Sequence, residues 1–180
     1  LSALLAAITT FVTFASPEPQ KMRAVLFWLL GSFAGTNWST VVPPALATFP
    51  GLLILTAAAR PMDAFLLGEG PARSLGISVE TLKRLLILLA ALVTGVLVAA
   101  AGVIGFVGLI IPHAVRLVSG VSHRRLVPYS FLVGAIFMVW ADLAARTVLP
   151  AQELPVGVLT AICGVPFFLI LLRQDSYSFS

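Results

Sequence analysis

The chain has 180 residues, of which 59% are hydrophobic and only 10% are charged, and its mean hydropathy is +1.07. Soluble domains carry about 25% charged residues, so this composition excludes an ordinary soluble domain and indicates an integral membrane protein. We interpret the net charge of +4 at pH 7 as charge in cytoplasmic loops, with no role in binding nucleic acid. Cys163 is the single cysteine, which excludes a disulfide within one chain.

The apolar segments are long, continuous and rich in Leu, Ala, Val and Ile, which predicts membrane helices and not an alternating barrel. Residues 1–16 are uncharged and would reach about 24 Å as a helix, so we predict a spanning helix that lacks its first turns, at the start of a piece of a longer chain. Residues 24–34 are too few to span and predict a short interfacial or re-entrant helix. Residues 38–59 predict a full span that contains three prolines.

Residues 60–84 are the one long charged interruption in the apolar sequence. Their charged side chains are Arg60, Asp63, Glu69, Arg73, Glu80, Lys83 and Arg84. Within this stretch, residues 68–76 predict a short helix that is stopped by a glycine. Glu69 and Arg73 are four residues apart and therefore share one face of that helix. From composition alone the stretch is either an ordinary solvated loop between two spans or a place where another protein binds.

Residues 85–115 contain no Asp, Glu, Lys or Arg, and as one helix they would be about 46 Å long, which is too long for a single ordinary crossing. Gly102, Gly105 and Gly108 predict a tight reversal and two crossings, the second of which continues to about residue 122. The distribution of cations favours this topology, because the cytoplasmic side is richer in them. The inner side would hold Arg60, Arg73, Lys83, Arg84, Arg116, Arg124, Arg125 and Arg173, and the outer side Lys21, Arg23 and Arg146.

Residues 127–149 and 154–172 predict the last two spans, joined by a short outer loop. Asp142 and Arg146 lie four residues apart near the outer end of the first of them. They form either a local ion pair that anchors the helix end or a functional pair, because charges near a membrane are costly. The sequence thus predicts an all-α, polytopic transmembrane bundle with about six crossings.

Several ordered motifs give the chain a family resemblance. They are GFVGLIIPH at 105–113, ADLAAR at 141–146, ELPVGVLT at 153–160 and GVPF at 164–167, with WLLGS at 28–32, RPM at 60–62 and LGE at 67–69. These motifs resemble the FecCD-type permease subunits of type II ABC importers, which transport iron-siderophores, haem and vitamin B12. Members of that family have about ten helices in a chain roughly twice as long, so the sequence is similar to their C-terminal half.

The resemblance implies a homodimeric permease in a bacterial inner membrane, with a transport pathway along the dimer axis. Two cytoplasmic ATPase subunits and a periplasmic substrate-binding protein are the implied partners, besides membrane lipid. The family places two short coupling helices, which sit in a cleft of the ATPase, at residues 60–84, and it places residues 24–34 on the outer side. The matching positions for coupling are Gly68, Glu69, Ala72, Arg73, Leu75 and Gly76.

The resemblance also implies roles outside that stretch. Arg146 matches an outward-facing arginine that meets an acidic residue of the binding protein. The first and last apolar segments match helices that line the central pathway. Their mildly polar residues are the candidates for lining it: Thr9, Thr13 and Thr160, with Thr10 and Cys163 as further polar groups.

We expect no enzyme activity and no cofactor or metal in this chain. The sequence has no GxxxxGK[ST] phosphate loop, so ATP and Mg are expected in the partner ATPase. His113 is a lone histidine on an apolar segment, which we interpret as structural and not as a haem ligand.

We predict import of an iron chelate, either a ferric siderophore or haem. The alternative within the family is vitamin B12. Alternatives from other classes are an ion-coupled secondary transporter or a membrane scaffold without an ATPase. A secondary transporter should have acids inside the membrane for ion coupling, and only Asp142 comes near that description.

Overall fold

The structure, a computed structural model, describes residues 4, 7, 8, 10, 11, 19–148 and 153–175. Over these residues the chain forms helices and no strands, which confirms the predicted all-α bundle. The helices are α1 (Pro19–Leu30), α2 (Trp38–Ala57), α3 (Ala59–Phe65), α4 (Glu69–Ser74), α5 (Val79–Ala101), α6 (Val107–Ser119), α7 (His123–Thr147) and α8 (Val156–Asp175). Most of the predicted first span, including Thr9 and Thr13, lies outside the described residues.

Within the described part of the chain, three helices are long and apolar enough to cross a membrane: α2 with 20 residues, α5 with 23 and α7 with 25. Helix α6 and the apolar part of α8 are shorter, and both pack against α7. At most 6% of each long helix's apolar window is buried inside the chain. The bundle therefore presents most of its apolar surface outward, as expected where lipid or further protein covers it.

The start of α2 is fixed by a capping box. The side chain of Asn37 accepts a hydrogen bond from the backbone N–H of Thr40 at 3.1 Å, and the Thr40 hydroxyl accepts one from the N–H of Asn37 at 3.0 Å. The N–H of Asn37 would otherwise lack a partner at the start of the helix, while the N–H of Thr40 also donates to the carbonyl of Asn37. The helix then continues through its three prolines to Ala57, in agreement with the predicted span.

The helices meet at two opposite ends of the bundle. At one end, α3 lies beside the turn between α6 and α7, where the backbone N–H of His123 donates to Asp63 at 2.7 Å. At the other end, the N–H of Val103 donates to the carbonyl of Trp28 at 3.0 Å, which joins the break between α5 and α6 to the end of α1. Helices α5 and α6 therefore run between the ends in opposite directions, which confirms the predicted reversal.

Several predicted helix limits were wrong. Helix α1 includes the polar residues from Pro19 and stops at Leu30 because Gly31 takes a positive φ of 68°. The predicted span over 38–59 divides at Ala58, and α3 contains Pro61 in its first turn, where a missing N–H breaks no helical hydrogen bond. Helices α5 and α7 begin six and four residues earlier than predicted, and α8 continues through Asp175.

Among the described residues, two small clusters of buried side chains lie along α7, and four further buried residues lie in α3, α4 and α5: Ala59, Ala72, Val79 and Leu82. The first joins Leu126 of α7 to Ile111 and Val115 of α6. The second joins Ala141 and Ala145 of α7 to Val156, which is 1% exposed at the start of α8. Helix α7 thus forms the spine against which the two shorter apolar helices pack.

Candidate functional site

Helices α3 and α4, which we call the α3–α4 segment, form a compact element between α2 and α5. Helix α4 ends in a Schellman motif: the N–H of Ile77 donates to the carbonyl of Ala72, and the N–H of Gly76 to that of Arg73. Gly76 has a φ of 79° there, a value that glycine adopts without a Cβ penalty. Ala72 is fully buried and fixes the inner face of α4. This geometry confirms the predicted short helix that ends at a glycine.

Glu69 ties the segment to a spanning helix. Its carboxylate lies 2.6 Å from Nζ of Lys83, in α5, and 3.4 Å from the guanidinium of Arg73. The hydrogen bond and charge of Lys83, with a smaller effect from Arg73, hold the pKa of Glu69 below its ordinary value, although slight desolvation opposes the shift. Lys83 also lies 5.8 Å from the ring centre of Phe65, so this cation of α5 contacts both α3 and α4.

Sequence spacing found only part of this arrangement. The pair of Glu69 and Arg73 follows from the four-residue repeat of a helix. Lys83 is 14 residues from Glu69 and approaches it only because the chain reverses at Gly76. No local pattern signals that contact.

Asp63 ties the same segment to a second spanning helix. Its carboxylate accepts hydrogen bonds from the backbone N–H of His123 at 2.7 Å and from the Ser122 hydroxyl at 3.0 Å, and it lies 2.7 Å from Nδ1 of His123. Partial desolvation raises the pKa of Asp63, but these hydrogen bonds outweigh it and leave the pKa below its ordinary value. Sequence analysis assigned no role to Asp63 or His123, because their contact spans 60 residues.

Of the six predicted coupling residues, Ala72 is buried and the other five are exposed. Ala72 faces the interior, while Gly68 and Gly76 shape the turns through positive φ angles. Arg73 and Leu75 face outward, with exposed fractions of 61% for the Arg73 side chain and 66% for Leu75. Exposed apolar side chains beside them, which sequence analysis did not single out, are Leu66 and Leu67. The segment therefore offers leucines and two cations, Arg60 and Arg73, to the outside, a combination suited to a protein contact.

Arg146 lies at the opposite end of the bundle from the α3–α4 segment. Its Nε is 2.8 Å from the carboxylate of Asp142, as the spacing predicts, and its Nη1 is 3.8 Å from Glu153. The side chain remains 43% exposed. Two carboxylates thus orient a guanidinium that other molecules can still reach.

The same end contains a set of close backbone contacts that we call the glycine junction, formed by Gly31, Gly102 and Gly157. A Cβ added at Gly102 would strike the carbonyl of Trp28, and one added at Gly157 would strike the carbonyl of Leu30. The N–H of Ser32 donates to the carbonyl of Ala101 at 2.8 Å across this junction. Backbone N–H and C=O groups that have no partner within their own helix, at three helix ends, therefore form hydrogen bonds with one another. The spacing of Gly102, Gly105 and Gly108 predicts close backbone approach at all three. The structure shows it at Gly102, but an added Cβ at Gly105 or Gly108 would meet no described atom within 4 Å, so the prediction was wrong for those two.

The remaining predicted residues do not form one site. Thr160 is fully buried, and its hydroxyl donates to the carbonyl of Gly157 at 3.1 Å, so in this conformation it packs within the chain. Cys163 is exposed on α8. His113 stacks edge-on against Phe167 with ring centres 6.0 Å apart, consistent with its interpretation as a structural residue. Over the described residues, no three His, Cys, Asp or Glu side chains come together.

Comparison with known proteins gives a consistent result. The family described as "FecCD transport family" matches residues 1–174. The chain is 46% identical over 174 residues to the cobalamin import system permease protein BtuC of Halobacterium salinarum, a match that covers 97% of this chain and 46% of BtuC. It is 42% identical to the Fe(3+) dicitrate transport system permease protein FecD of Escherichia coli K12, covering 96% of this chain and 54% of FecD.

A haem-related relative and a solved structure extend the comparison. The chain is 38% identical to the hemin transport system permease protein HmuU of Yersinia pestis, covering 97% of this chain and 52% of HmuU. A metal-chelate type ABC transporter in an inward-facing conformation matches the fold with a TM-score of 0.85 and 34% identity, over 97% of this chain and 56% of that one. The chain thus spans about half the length of the curated relatives it matches.

Proposed function

Because the chain belongs to the FecCD transport family, we propose that it forms part of the permease subunit of an ATP-driven importer. It is a multi-pass integral protein of the inner membrane, with three helices long and apolar enough to span. The importer would move its substrate by tilting these helices, with energy from a separate ATPase, since the sequence contains no phosphate loop.

The observation that carries the proposal is the architecture of the α3–α4 segment. It is a pair of short helices with exposed leucines and Arg73 on its outer side. Asp63 and Glu69 fasten it to α7 and α5 respectively. A segment held in this way can receive force from a bound ATPase and pass it to spanning helices. We therefore propose that the ATPase binds here, on the cytoplasmic side.

The opposite end supports a proposal for the second partner. Arg146 is exposed and is oriented by Asp142 and Glu153. A carboxylate of a periplasmic substrate-binding protein would compete for this guanidinium and form a charge-assisted hydrogen bond. We propose docking at Arg146. A second copy of the permease would cover part of the outward-facing apolar surface and complete the pathway.

For the substrate we propose an iron chelate, a ferric siderophore or haem. The names of FecD and HmuU, and the metal-chelate transporter of matching fold, support this class. The relative from Halobacterium salinarum supports cobalamin as a second candidate, because its 46% identity is higher than that of either iron-related permease.

An ion-coupled secondary transporter is less well supported by the geometry. Such a protein needs acids inside the membrane that bind the coupling ion. Helix α2 has no acidic residue, and the Asp142 carboxylate in α7 is paired with Arg146 near the helix end. The described spans therefore offer no unpaired carboxylate at mid-depth.

The proposed function is tested with the full-length permease, its ATPase and its binding protein reconstituted in vesicles. We expect ATP-dependent uptake of a ferric siderophore, haem or cobalamin, together with ATP hydrolysis that rises when loaded binding protein is added. Uptake that follows an ion gradient and ignores ATP would contradict the proposal. Uptake of cobalamin but not of either iron chelate would support the proposed importer and identify cobalamin, and not an iron chelate, as its substrate.

A further inference from the structure

Asp63 forms a joint between α3 and the beginning of α7. We propose that Asp63 is a positioning residue that transmits movement of the α3–α4 segment to α7, an inference that rests on the proposed function. The other half of the joint is formed by Ser122 and His123, whose contacts with Asp63 come from the turn before α7 and its first residue.

The contact is a helix cap supplied by another element. Ser122 stands at the N-cap position of α7, but its hydroxyl makes no capping bond within that helix and donates to Asp63 instead. The N–H of His123, one of the donors that a helix leaves without an internal partner, also donates to the Asp63 carboxylate. An anion at this position additionally interacts favourably with the positive end of the helix dipole. The carboxylate on α3 thus takes the place of a local cap on α7.

Helix α3 is packed only in part, since its residues 61–65 are half-buried. The helix has seven residues, and its buried side chain is the small Ala59 at its first position. Hydrogen bonds to a charged group are stronger and more directional than such a contact. The carboxylate is 34% exposed and the His123 ring 13%, so water screens the contact only in part. Asp63 is therefore the directional attachment between α3 and α7.

Helix α7 is suited to carry the movement onward. It runs without interruption for 25 residues and packs against α2, α3, α6 and α8. Its far end holds Ala141 and Ala145 in contact with Val156 at the start of α8. A displacement imposed on the first turn of α7 would thus reach the start of α8 as a rigid-body tilt about the glycine junction.

Asp63→Ala in the reconstituted full-length complex tests the joint, with Glu80→Ala as the matched control. Glu80 is an exposed carboxylate at the same end, in the first turn of α5, and makes no ion pair with a described residue. We expect Asp63→Ala to lower the ratio of substrate transported to ATP hydrolysed about tenfold, which lies within the range that typical coupling free energies produce. ATP hydrolysis itself should continue. The control should leave the ratio unchanged. An unchanged ratio in Asp63→Ala, with intact assembly, would overturn the proposal.

A spectroscopic measurement separates transmission from a purely structural role. Spin labels at Leu46→Cys in α2 and Tyr129→Cys in α7, both exposed positions, report the distance between these helices in a background without other cysteines. In the otherwise unmodified complex, ATP should change that distance, and Asp63→Ala should remove the change. The same change in both complexes would refute the joint.

A second variant covers the case in which Asp63→Ala does not assemble. Asp63→Asn keeps the shape and removes the charge, and it should lower the transport ratio by a smaller factor than alanine. A normal ratio in Asp63→Asn would count against the charged cap. Failure of the proposed function is distinguishable, because it appears as absent ATP-dependent uptake in the unmodified complex, whereas failure of the joint appears only in the variants.

Discussion

The α3–α4 end and the glycine junction hold opposite ends of the bundle together by different chemistry. At the α3–α4 end the contacts are made by charged side chains that remain partly exposed, such as Glu69 with Lys83 at 2.6 Å. At the glycine junction they are made by backbone groups, as in the hydrogen bond between Val103 and Trp28. Charged contacts can form and break as a partner moves, whereas backbone contacts packed without side chains tolerate little change. We therefore call the α3–α4 end the responsive end and the glycine junction the fixed end.

The largest effect on stability is expected from Gly157→Ala at the fixed end. The added Cβ would strike the carbonyl of Leu30, and backbone on both sides has little room to shift. We expect the permease to lose about 3 kcal/mol of stability, the upper part of the range for overpacking, measured as a lower melting temperature of the purified complex. Gly95→Ala is the control, because its Cβ would meet no described atom within 4 Å. Equal melting temperatures for the two variants would contradict the close contact.

Glu69→Arg tests the responsive end. The substitution places a third cation beside Lys83 and Arg73 and so separates α4 from α5 by repulsion. We expect uptake to fall about tenfold or more while ATP hydrolysis by the complex persists, measured in vesicles. Glu80→Arg, the same change of charge in the first turn of α5, should transport normally. Unchanged uptake in Glu69→Arg would refute the coupling role.

Sequence reasoning succeeded where the signal is local. The glycine stop after α4 and the pair of Asp142 and Arg146 both depend on residues within a few positions of one another. The long apolar runs likewise predicted the helical bundle. The distribution of cations between the two sides of the membrane favoured the reversal near Gly102. Such features are predictable because each is settled within one or two helical turns.

The contacts made across the bundle were not predictable in this way. Asp63 and His123 are 60 residues apart, and Glu69 meets Lys83 only after the chain reverses. Helix limits also shifted, since charged residues such as Lys83 continue a helix beyond the apolar run that sequence hydropathy detects. Thr160 was a pathway candidate because of its polarity, yet the structure buries it completely. Which side of a helix faces protein depends on packing that hydropathy does not encode.

Arg146→Glu is expected to have a smaller effect that leaves the bundle intact. The new carboxylate would stand beside Asp142 and Glu153 and would repel an acidic partner. We expect affinity for the substrate-binding protein to fall about tenfold, measured by direct binding to the permease in nanodiscs. Arg124→Glu, an exposed cation at the opposite end of the bundle, serves as the control. Normal binding by Arg146→Glu would refute docking at this residue.

The smallest effect is a pH dependence at Asp63. Because its pKa is lower in the folded chain than its ordinary value of 3.8, ionised Asp63 stabilises the fold. This contribution is complete above the ordinary value and is lost as the pH falls through the lower, folded value. The difference in melting temperature between the unmodified complex and Asp63→Asn should therefore stay constant down to about pH 5 and shrink below about pH 4. A difference that stays constant to about pH 3 would contradict the ionic cap.

The proposed contact between the α3–α4 segment and the ATPase is tested most directly by site-specific cross-linking in the assembled complex. A cysteine at exposed Leu75 is compared with one at exposed Val148, at the opposite end of α7, in a background without other cysteines. The account predicts that Leu75→Cys cross-links to the ATPase and that Val148→Cys does not. Cross-linking of the ATPase at Val148 and not at Leu75 would contradict it.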